Sequence, residues 1–358
     1  MTSIKSVFFR ADSSNQIGSG HVMRCLTLAL GLKAIGIDCH FVSRPHPGNH
    51  LAYIESLGFK IHTLKKPITP LSYANYGDWV GASQENDAKE FIEHLPKAGC
   101  DWVIVDHYGL DHKWEKAVKK YTRAIMVIDD LANRPHTCEL LLDQNYYLDM
   151  HSRYISLVEE NTNQLIGPNY ALVRDEFKDY RPSKLKMKTR IQNLMVYFGA
   201  TDPLQLTLPA LEIIQEYKNF GVTVILGNNA PHFQHVQTLC KQQGFQHHMH
   251  VTQFAKLMSQ SDLAIGAGGS TNWERFCLGL PAIVTAVAEN QIESVKTLSD
   301  SGLIFLCPDQ SYKSELRNLL NKLLTKPKLH YSTSKKGYNL VDGNGTNRVI
   351  QEILNVFG

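Results

Sequence analysis

No apolar stretch of this sequence approaches the roughly 18 residues that a membrane-spanning helix needs. Neither charge sign dominates: 37 Lys and Arg face 34 Asp and Glu, a net +3 with His neutral. That balance removes the electrostatic case for nucleic acid as the main partner. The seven cysteines are odd in number and form no Cys-x-x-Cys pair, so they read as reduced thiols rather than a disulfide framework. The opening "MTSIKSVFFRADSS" has too short an apolar core for a signal peptide and no cleavage pattern. A cytoplasmic protein is the expectation. Several catalytic signatures are also missing. No Gly-Lys-Ser/Thr follows a glycine-rich turn, and no Gly-x-Ser-x-Gly elbow occurs. The turn Gly18-Ser19-Gly20-His21 lacks the full dinucleotide fingerprint, with no clearly placed acid about 20 residues on. These gaps argue against a P-loop NTPase, an α/β-hydrolase and a nicotinamide enzyme, and no cofactor is expected.

What is present is the makeup of a globular protein, 358 residues with 43% hydrophobic and 20% charged side chains. That length accommodates two domains with separate cores. Short β-rich runs alternate with helical patterns. The first half predicts strands at Val7 to Arg10, Asp38 to Val42, Trp102 to Asp106, Ala124 to Ile128 and Glu139 to Leu142. Helices are predicted at His21 to Ile35 and Leu51 to Leu57. "WVIVD" and "AIMVID" are apolar on both faces, as strands of a parallel sheet covered by helices must be. After the polar, charge-dense "RDEFKDYRPSKLKMKTR", which reads as a linker, the pattern restarts with "NLMVYFG", "VTVILG", "LAIGAGG", "AIVTAVA" and "LIFLC". The expected fold is α/β: an N-terminal Rossmann-like domain over 1–178, a second over 185–340, and a C-terminal helix over 341–358 that could return to the first domain. Ligands in such open sheets bind at the C-terminal ends of strands, here in an expected cleft between the domains.

Polar clusters follow those strand ends. The first strand leads into Arg10 and Asp12, "WVIVD" into Asp106, and "AIMVI" into Asp129-Asp130. "NLMVYF" leads into Gly199, Thr201 and Asp202, and "AIVTAVA" into Asn290 and Gln291. Any one cluster could merely cap the next helix; together they favour a site. Gly268-Gly269-Ser270-Thr271, opening a helix, offers free N–H groups and a positive dipole end to a phosphate or diphosphate. Glu274, three residues after Thr271, suits either a capping box or the two hydroxyls of a ribose. His21 follows Gly20, where backbone can approach a ligand closely. A helix N-terminus disfavours the imidazolium, which suits a general base. Arg24, one turn on, could pair with a carboxylate or with a ligand oxygen. His247, His248 and His250 cluster on what reads as a loop, without a carboxylate or cysteine at metal-site spacing.

Taken together, "FFRADSSNQIGSGHVMRCLTLA", "VDHYGLD", "VIDDLANRPHTCELLLDQN", "LIGPNYALVRDEF", "YFGATDP", "IGAGGSTNWERFCLGLPAI" and "AENQ" resemble the UDP-2,4-diacetamido-2,4,6-trideoxy-β-L-altropyranose hydrolases of pseudaminic acid biosynthesis. That family is similar in turn to GT-B glycosyltransferases, including the enzyme that makes lipid II. The resemblance implies two Rossmann-like domains with the nucleotide on the C-terminal one, and a catalytic histidine matching His21 that activates water. It implies that Glu274 holds the uridine ribose, that Gly268 to Thr271 bind the diphosphate, and that Asn290 and Gln291 lie in a substrate-binding segment. Gly199, Thr201 and Asp202 match a Gly-Gly-Ser/Thr-Asp stretch in which Ala200 replaces the second glycine.

The implied chemistry is attack of water on C1 with inversion and departure of UDP. The freed sugar would feed a nonulosonic acid for flagellin or surface polysaccharide. No Asp-x-Asp pair is present to hold a cation on the diphosphate, so no metal is demanded. A UDP-sugar is the expected partner of a monomeric protein. Two rival readings stand beside this one: a glycosyltransferase using a UDP-N-acetylhexosamine, and a non-catalytic UDP-sugar-binding module. Tyr108 and Tyr170 are candidates for reading the sugar substituents.

Overall fold

The computed structural model describes residues 4–68, 75–228, 230–249 and 251–357. The chain forms two compact units. The first comprises Met1–Asn145, Asp149–Leu172 and Gly345–Gly358; the second comprises Tyr146–Leu148 and Val173–Asn344. Residues 173–178 therefore group with the second unit and the C-terminal helix with the first.

In the first unit the strands are β1 (Ser6–Ala11), β2 (Asp38–Ser43), β3 (Lys60–Thr63), β4 (Cys100–Asp106), β5 (Thr122–Ile128), β6 (Leu140–Asp143) and β7 (Asn163–Ile166). They lie in the order β3-β2-β1-β4-β5-β6-β7, every pairing parallel. The period-2 alternation of side chains explains why "WVIVD" must be apolar throughout. Trp102 and Ile104 enter one buried layer with Val7 and Phe9 of β1. Val103 and Val105 enter the opposite layer with Phe8, Phe91 and Trp114.

In the second unit the strands are β8 (Asn193–Tyr197), β9 (Gly221–Ile225), β10 (Gln246–His248), β11 (Leu263–Ala267), β12 (Ala282–Thr285) and β13 (Phe305–Leu306). Their order is β10-β9-β8-β11-β12-β13, again all parallel. Two parallel-sheet, Rossmann-like α/β units are thus what the alternating pattern predicts. Among the described residues no helix is long and apolar enough to cross a membrane. All seven cysteines are buried and unpaired.

Three strands escape the sequence reading, and all three lie at or beside sheet edges: β3, β7 and β10. Each is three or four residues long and partly exposed. A strand with only one neighbour and a solvated face needs no continuous apolar run, so the signal was absent. His247 and His248 consequently sit on edge strand β10, not on a loop; His250 lies outside the described residues. The stretch read as a linker is also ordered into the second unit. Glu176–Tyr180 is helical, and Arg181 donates to the carbonyls of Cys277, Val341 and Tyr338. Its charge density marks ion pairs and helix caps rather than a solvated tether.

The C-terminal helix Gly345–Asn355 packs its apolar stripe, Val349, Ile350 and Ile353, into the same layer as Leu28 and Leu32 of helix Gly20–Ala34. Gly345 is obligatory at the entry, because a Cβ there would lie 2.2 Å from the carbonyl oxygen of Ala171. Phe357 reaches the Trp102 ring at 5.5 Å. Replacing the fully buried Ile353 by Ala should destabilise the first unit by about 2–5 kcal/mol. Urea unfolding followed by tryptophan emission checks this, since Trp79, Trp102 and Trp114 all report on that unit. An unmoved midpoint would show that the helix does not contribute to that core.

Candidate active site

An open parallel sheet binds ligands where the strand order reverses, because the connections on either side leave in opposite directions. In the first unit that point lies between β1 and β4. After β1 the chain turns through Ser14, whose Oγ accepts from the N–H groups of Gln16 and Ile17 at 3.1 and 2.8 Å. Gly18 follows at φ +77°, a left-handed conformation that favours glycine. The space where Gly18 and Gly20 would carry a Cβ is open, and helix Gly20–Ala34 begins there with no side-chain cap.

His21 is the second residue of this helix, and across the reversal point stands Asp106, the fully buried last residue of β4. His21 Nδ1 donates to Asp106 Oδ1 at 2.5 Å. Arg24, on the same helix face, donates to both oxygens of Asp106: Nη2 to Oδ1 at 2.6 Å and Nε to Oδ2 at 2.5 Å. Burial alone would favour neutral Asp106. The Arg24 guanidinium and His21 override it and hold the carboxyl well below the usual carboxylate range. An ionised Asp106 only accepts, so the proton of His21 belongs on Nδ1 and the lone pair on Nε2. The polar contacts of the ring among the described residues fall on Nδ1, and the side chain is only 7% exposed. This carboxylate–imidazole arrangement has the geometry that a positioned general base requires.

Of the two partners considered for Arg24, the structure shows carboxylates, and two of them. Its Nη1 donates to the two oxygens of Asp130 at 2.9 and 2.8 Å. Arg10 and Asp12 reach the same end of the sheet but are spent below the surface. Fully buried Arg10 forks onto Asp87 at 3.0 and 2.7 Å and pairs with Asp12 at 2.6 Å. Asp12 also accepts from the Arg44 N–H at 2.7 Å and faces His107 at 3.3 Å. Gly109 N–H donates to His107 Nδ1, which puts the His107 proton on Nε2, towards Asp12. This network supports the loop after β1; none of its charges points outward.

In the second unit the order reverses between β8 and β11. The loops after β8, β11 and β12 bring Gly199–Asp202, Gly268–Thr271 and Asn290–Gln291 to adjoining strand ends. Gly269 has φ +106°. A Cβ on Gly268 would lie 3.1 Å from Gln291 Oε1, and one on Gly269 3.5 Å from Gln291 Nε2, so Gln291 lies directly beside the turn. Its Oε1 accepts from the Val287 N–H at 3.0 Å. Asn290 begins the same helix, Glu289–Asp300. Ser270 is exposed and Thr271 half-buried at the start of helix Thr271–Leu278. Thr201 is half-buried on its loop. Asp202 is buried instead, and its two oxygens accept from the N–H groups of Leu206 and Thr207 at 2.9 and 2.8 Å. It caps the following helix.

Glu274 forms no capping box. The helix is capped at Ser270 without a side-chain bond, so Thr271 is already inside it and the spacing is one residue off. Glu274 instead accepts from Arg174 Nε at 2.9 Å. Arg174 is also paired with Glu176 at 2.8 Å and lies 5.1 Å from the rings of Phe177 and Phe254.

Sequence reasoning missed Trp79, Tyr76 and Arg174 as parts of these clusters, and named Asp130 only as an acid at a strand end. Tyr108, singled out only for the sugar, packs edge-on against His21 with ring centroids 4.4 Å apart. Trp79 adds a second edge contact to His21 at 6.4 Å, and Tyr76 packs on both Trp79 and Tyr108. Trp79 and Tyr76 lie in a short helical turn (Tyr76–Val80) that carries no motif, so only tertiary structure reveals them. Asp130 and Arg174 lay within quoted motifs, but no spacing rule links them to partners 106 and 100 residues away.

Residues 199–350 match the family model described as the Glycosyltransferase family 28 C-terminal domain. Over 351 residues the chain is 26% identical to the Spore coat polysaccharide biosynthesis protein SpsG of Bacillus subtilis, covering 95% of each chain. It is also 26% identical over 300 residues to the UDP-2,4-diacetamido-2,4,6-trideoxy-beta-L-altropyranose hydrolase of Campylobacter jejuni, covering 83% of this chain and 97% of that one. The resemblance carried by the motifs thus extends to a relative bearing that name. Among solved structures, MurG of Acinetobacter baumannii superimposes with a TM-score of 0.66 at 15% identity, covering 98% of this chain and 99% of that one. That likeness is one of fold, and the fold is GT-B-like.

Behind Asp130 lies one more acid, Asp143, which accepts from Arg153 at 2.5 Å and shares the Asn145 amide with Asp130. Burial first, and then the charge of Asp130, push the Asp143 carboxyl up to about 7. A group whose folded pKa is raised binds its proton more tightly in the native state, so stability falls as pH rises between the two values. The stability of wild type relative to Asp143→Asn should therefore decline by roughly 2–4 kcal/mol between about pH 4 and pH 7. Urea melts of both proteins across that range measure it. A difference independent of pH would show that Asp143 is ionised throughout.

Proposed function

We propose that this protein is an enzyme acting on a nucleotide sugar, and that it hydrolyses UDP-2,4-diacetamido-2,4,6-trideoxy-β-L-altropyranose to UDP and the free sugar. The observation that carries the reading is the Asp106–His21 pair, in which the bond at Nδ1 leaves Nε2 as the nitrogen turned to a substrate. The names of the relatives supply the substrate class. The second unit holds the UDP: Glu274 receives the ribose hydroxyls, and the N–H groups of the Gly268–Thr271 turn, helped by the helix dipole, receive the diphosphate.

In the reaction, His21 Nε2 removes a proton from water as the oxygen attacks C1, and the C1–O bond to UDP breaks. The anomeric centre inverts, because attack and departure occur on opposite faces. UDP is already a good leaving group, so stabilising its growing charge at the glycine turn carries much of the catalysis. Asp106 stabilises the imidazolium that forms and keeps its Nδ1–H in place. The product is a precursor for nonulosonic acids of surface glycoconjugates, flagellin among them. The match to a glycosyltransferase domain supports a second reading, in which an acceptor hydroxyl takes the place of water at the same base.

His21→Ala should lower UDP release from this substrate by roughly 10²- to 10⁴-fold, the span of a general base, while UDP binding stays within about twofold. Retained activity in the variant would remove His21 from the reaction. Absence of UDP release by wild type until an acceptor alcohol is supplied would favour the transferase. In the second unit, Glu274→Gln should weaken UDP binding by roughly 10- to 100-fold, the cost of losing hydrogen bonds to a charged acceptor. Calorimetric titration with UDP tests this; equal affinity would show that Glu274 does not hold the ribose.

A further inference from the structure

We propose that Asp130 is a positioning residue for catalysis: it locks Arg24 and Tyr108 and thereby fixes both the charge and the orientation of His21. The assignment rests on the reading of His21 as the base, and it gives a role to "VIDDLANRPHTCELLLDQN", a motif that neither substrate binding nor proton transfer explains. Asp130 follows β5, the neighbour of β4, so its carboxylate meets the His21 cluster from the side opposite β1.

Two routes lead from it to the imidazole. In the first, both oxygens of Asp130 accept from Arg24 Nη1 at 2.9 and 2.8 Å, while the other nitrogens of Arg24 fork onto Asp106. Asp106 is in turn the partner of His21 Nδ1. Without Asp130, the guanidinium would be neutralised by Asp106 alone and would compete with His21 for that carboxylate. In the second route, the Tyr108 hydroxyl donates to Asp130 Oδ2 at 2.6 Å, and the same ring packs edge-on against His21 at 4.4 Å. Asp130 is itself held, since Asn145 Nδ2 donates to its Oδ1 at 2.6 Å. Three groups from three segments, Arg24, Tyr108 and Asn145, converge on one carboxylate, and the first two of them hold the His21 ring in place.

The charged and titratable groups facing the imidazole are Asp106 from β4, Arg24 from its own helix and Tyr108 from the loop after β4; Cys25 stands against Asp106, Tyr76 against Tyr108, and Asp130 behind Arg24 and Tyr108. Neutralising Asp130 leaves Arg24 in excess, disfavours the imidazolium, and makes the ring give up its proton at lower pH.

The experiment compares wild type with Asp130→Asn, which keeps the size of the side chain and one acceptor oxygen. Thermal melts establish that the variant is folded. UDP release from the diacetamido UDP-sugar gives kcat and KM across pH, and NMR of ¹⁵N-histidine-labelled protein without substrate follows the His21 titration, assigned with His21→Ala. The expected result is a roughly 10- to 100-fold lower kcat, as for a misplaced catalytic group, with KM unchanged. The acid limb of kcat/KM and the His21 titration should both move down by about half a pH unit or more. An unchanged kcat overturns the assignment, as does a loss of activity with both titrations in place, or a lower melting temperature as the sole change. If wild type releases no UDP from any UDP-sugar, the hydrolase reading fails separately. The His21 titration of the variant then decides the assignment by the same criterion.

Discussion

Asp106 is a carboxylate with no water around it, and most of the first unit's chemistry depends on keeping it charged. Burial penalises the ion heavily; only a full set of donors on both oxygens reverses that. Arg24 makes four nitrogen-to-oxygen bonds, two to Asp106 and two to Asp130, in the geometry that a planar fork permits. A lysine at position 24 could not bridge the two acids in this way. With Asp106 ionised, the tautomer of His21 follows, and from the tautomer follows which nitrogen can take a proton. The order of dependence therefore runs from Arg24 to Asp106 to His21.

The parallel sheets explain why these residues are neighbours at all. His21 and Asp106 are separated by 85 positions, but one opens the helix after β1 and the other ends β4, the two strands that flank the reversal of strand order. The same rule collects Gly199, Gly268 and Gln291 in the second unit. A parallel sheet buried on both faces can offer polar groups only beyond its strand ends, since any on its faces would lie in the apolar layers. The clustering of Asp, His and Gly after apolar runs is therefore the necessary complement of the runs themselves.

That complementarity sets what could be read from the sequence. The central strands and the helix carrying His21 were legible because burial on both sides leaves an unbroken apolar signal. Edge strands such as β10 were not, because their pairing is decided by the neighbouring strand rather than by their own side chains. At the site, Gly18, Gly20, His21 and the turn at Gly268 were visible as local patterns. The partnership of Arg24 with Asp130 was not, and neither was the seating of Tyr108 and Trp79 on the imidazole, since both join segments far apart in the chain. Position also misled where function did not: Asp202 follows an apolar strand as a ligand-binding residue would, yet its carboxylate satisfies two N–H groups at a helix start. Glu274 has the spacing of a cap, yet the helix begins one residue too early for it, and Arg174 pairs with the carboxylate.

The surroundings of His21 also bear on which nucleophile it serves. A base meant to activate an acceptor alcohol must leave room for the carbon skeleton attached to that oxygen. His21 is 7% exposed, with the rings of Tyr108 and Trp79 edge-on to it, and the Tyr108 hydroxyl is tied to Asp130. On the proposed reading of His21 as the base, a wall fastened in this way favours the smaller nucleophile, water, over an alcohol that would need the ring to move. The choice between hydrolysis and transfer would then lie in the packing around the base and not in the fold, which the chain shares with glycosyltransferases.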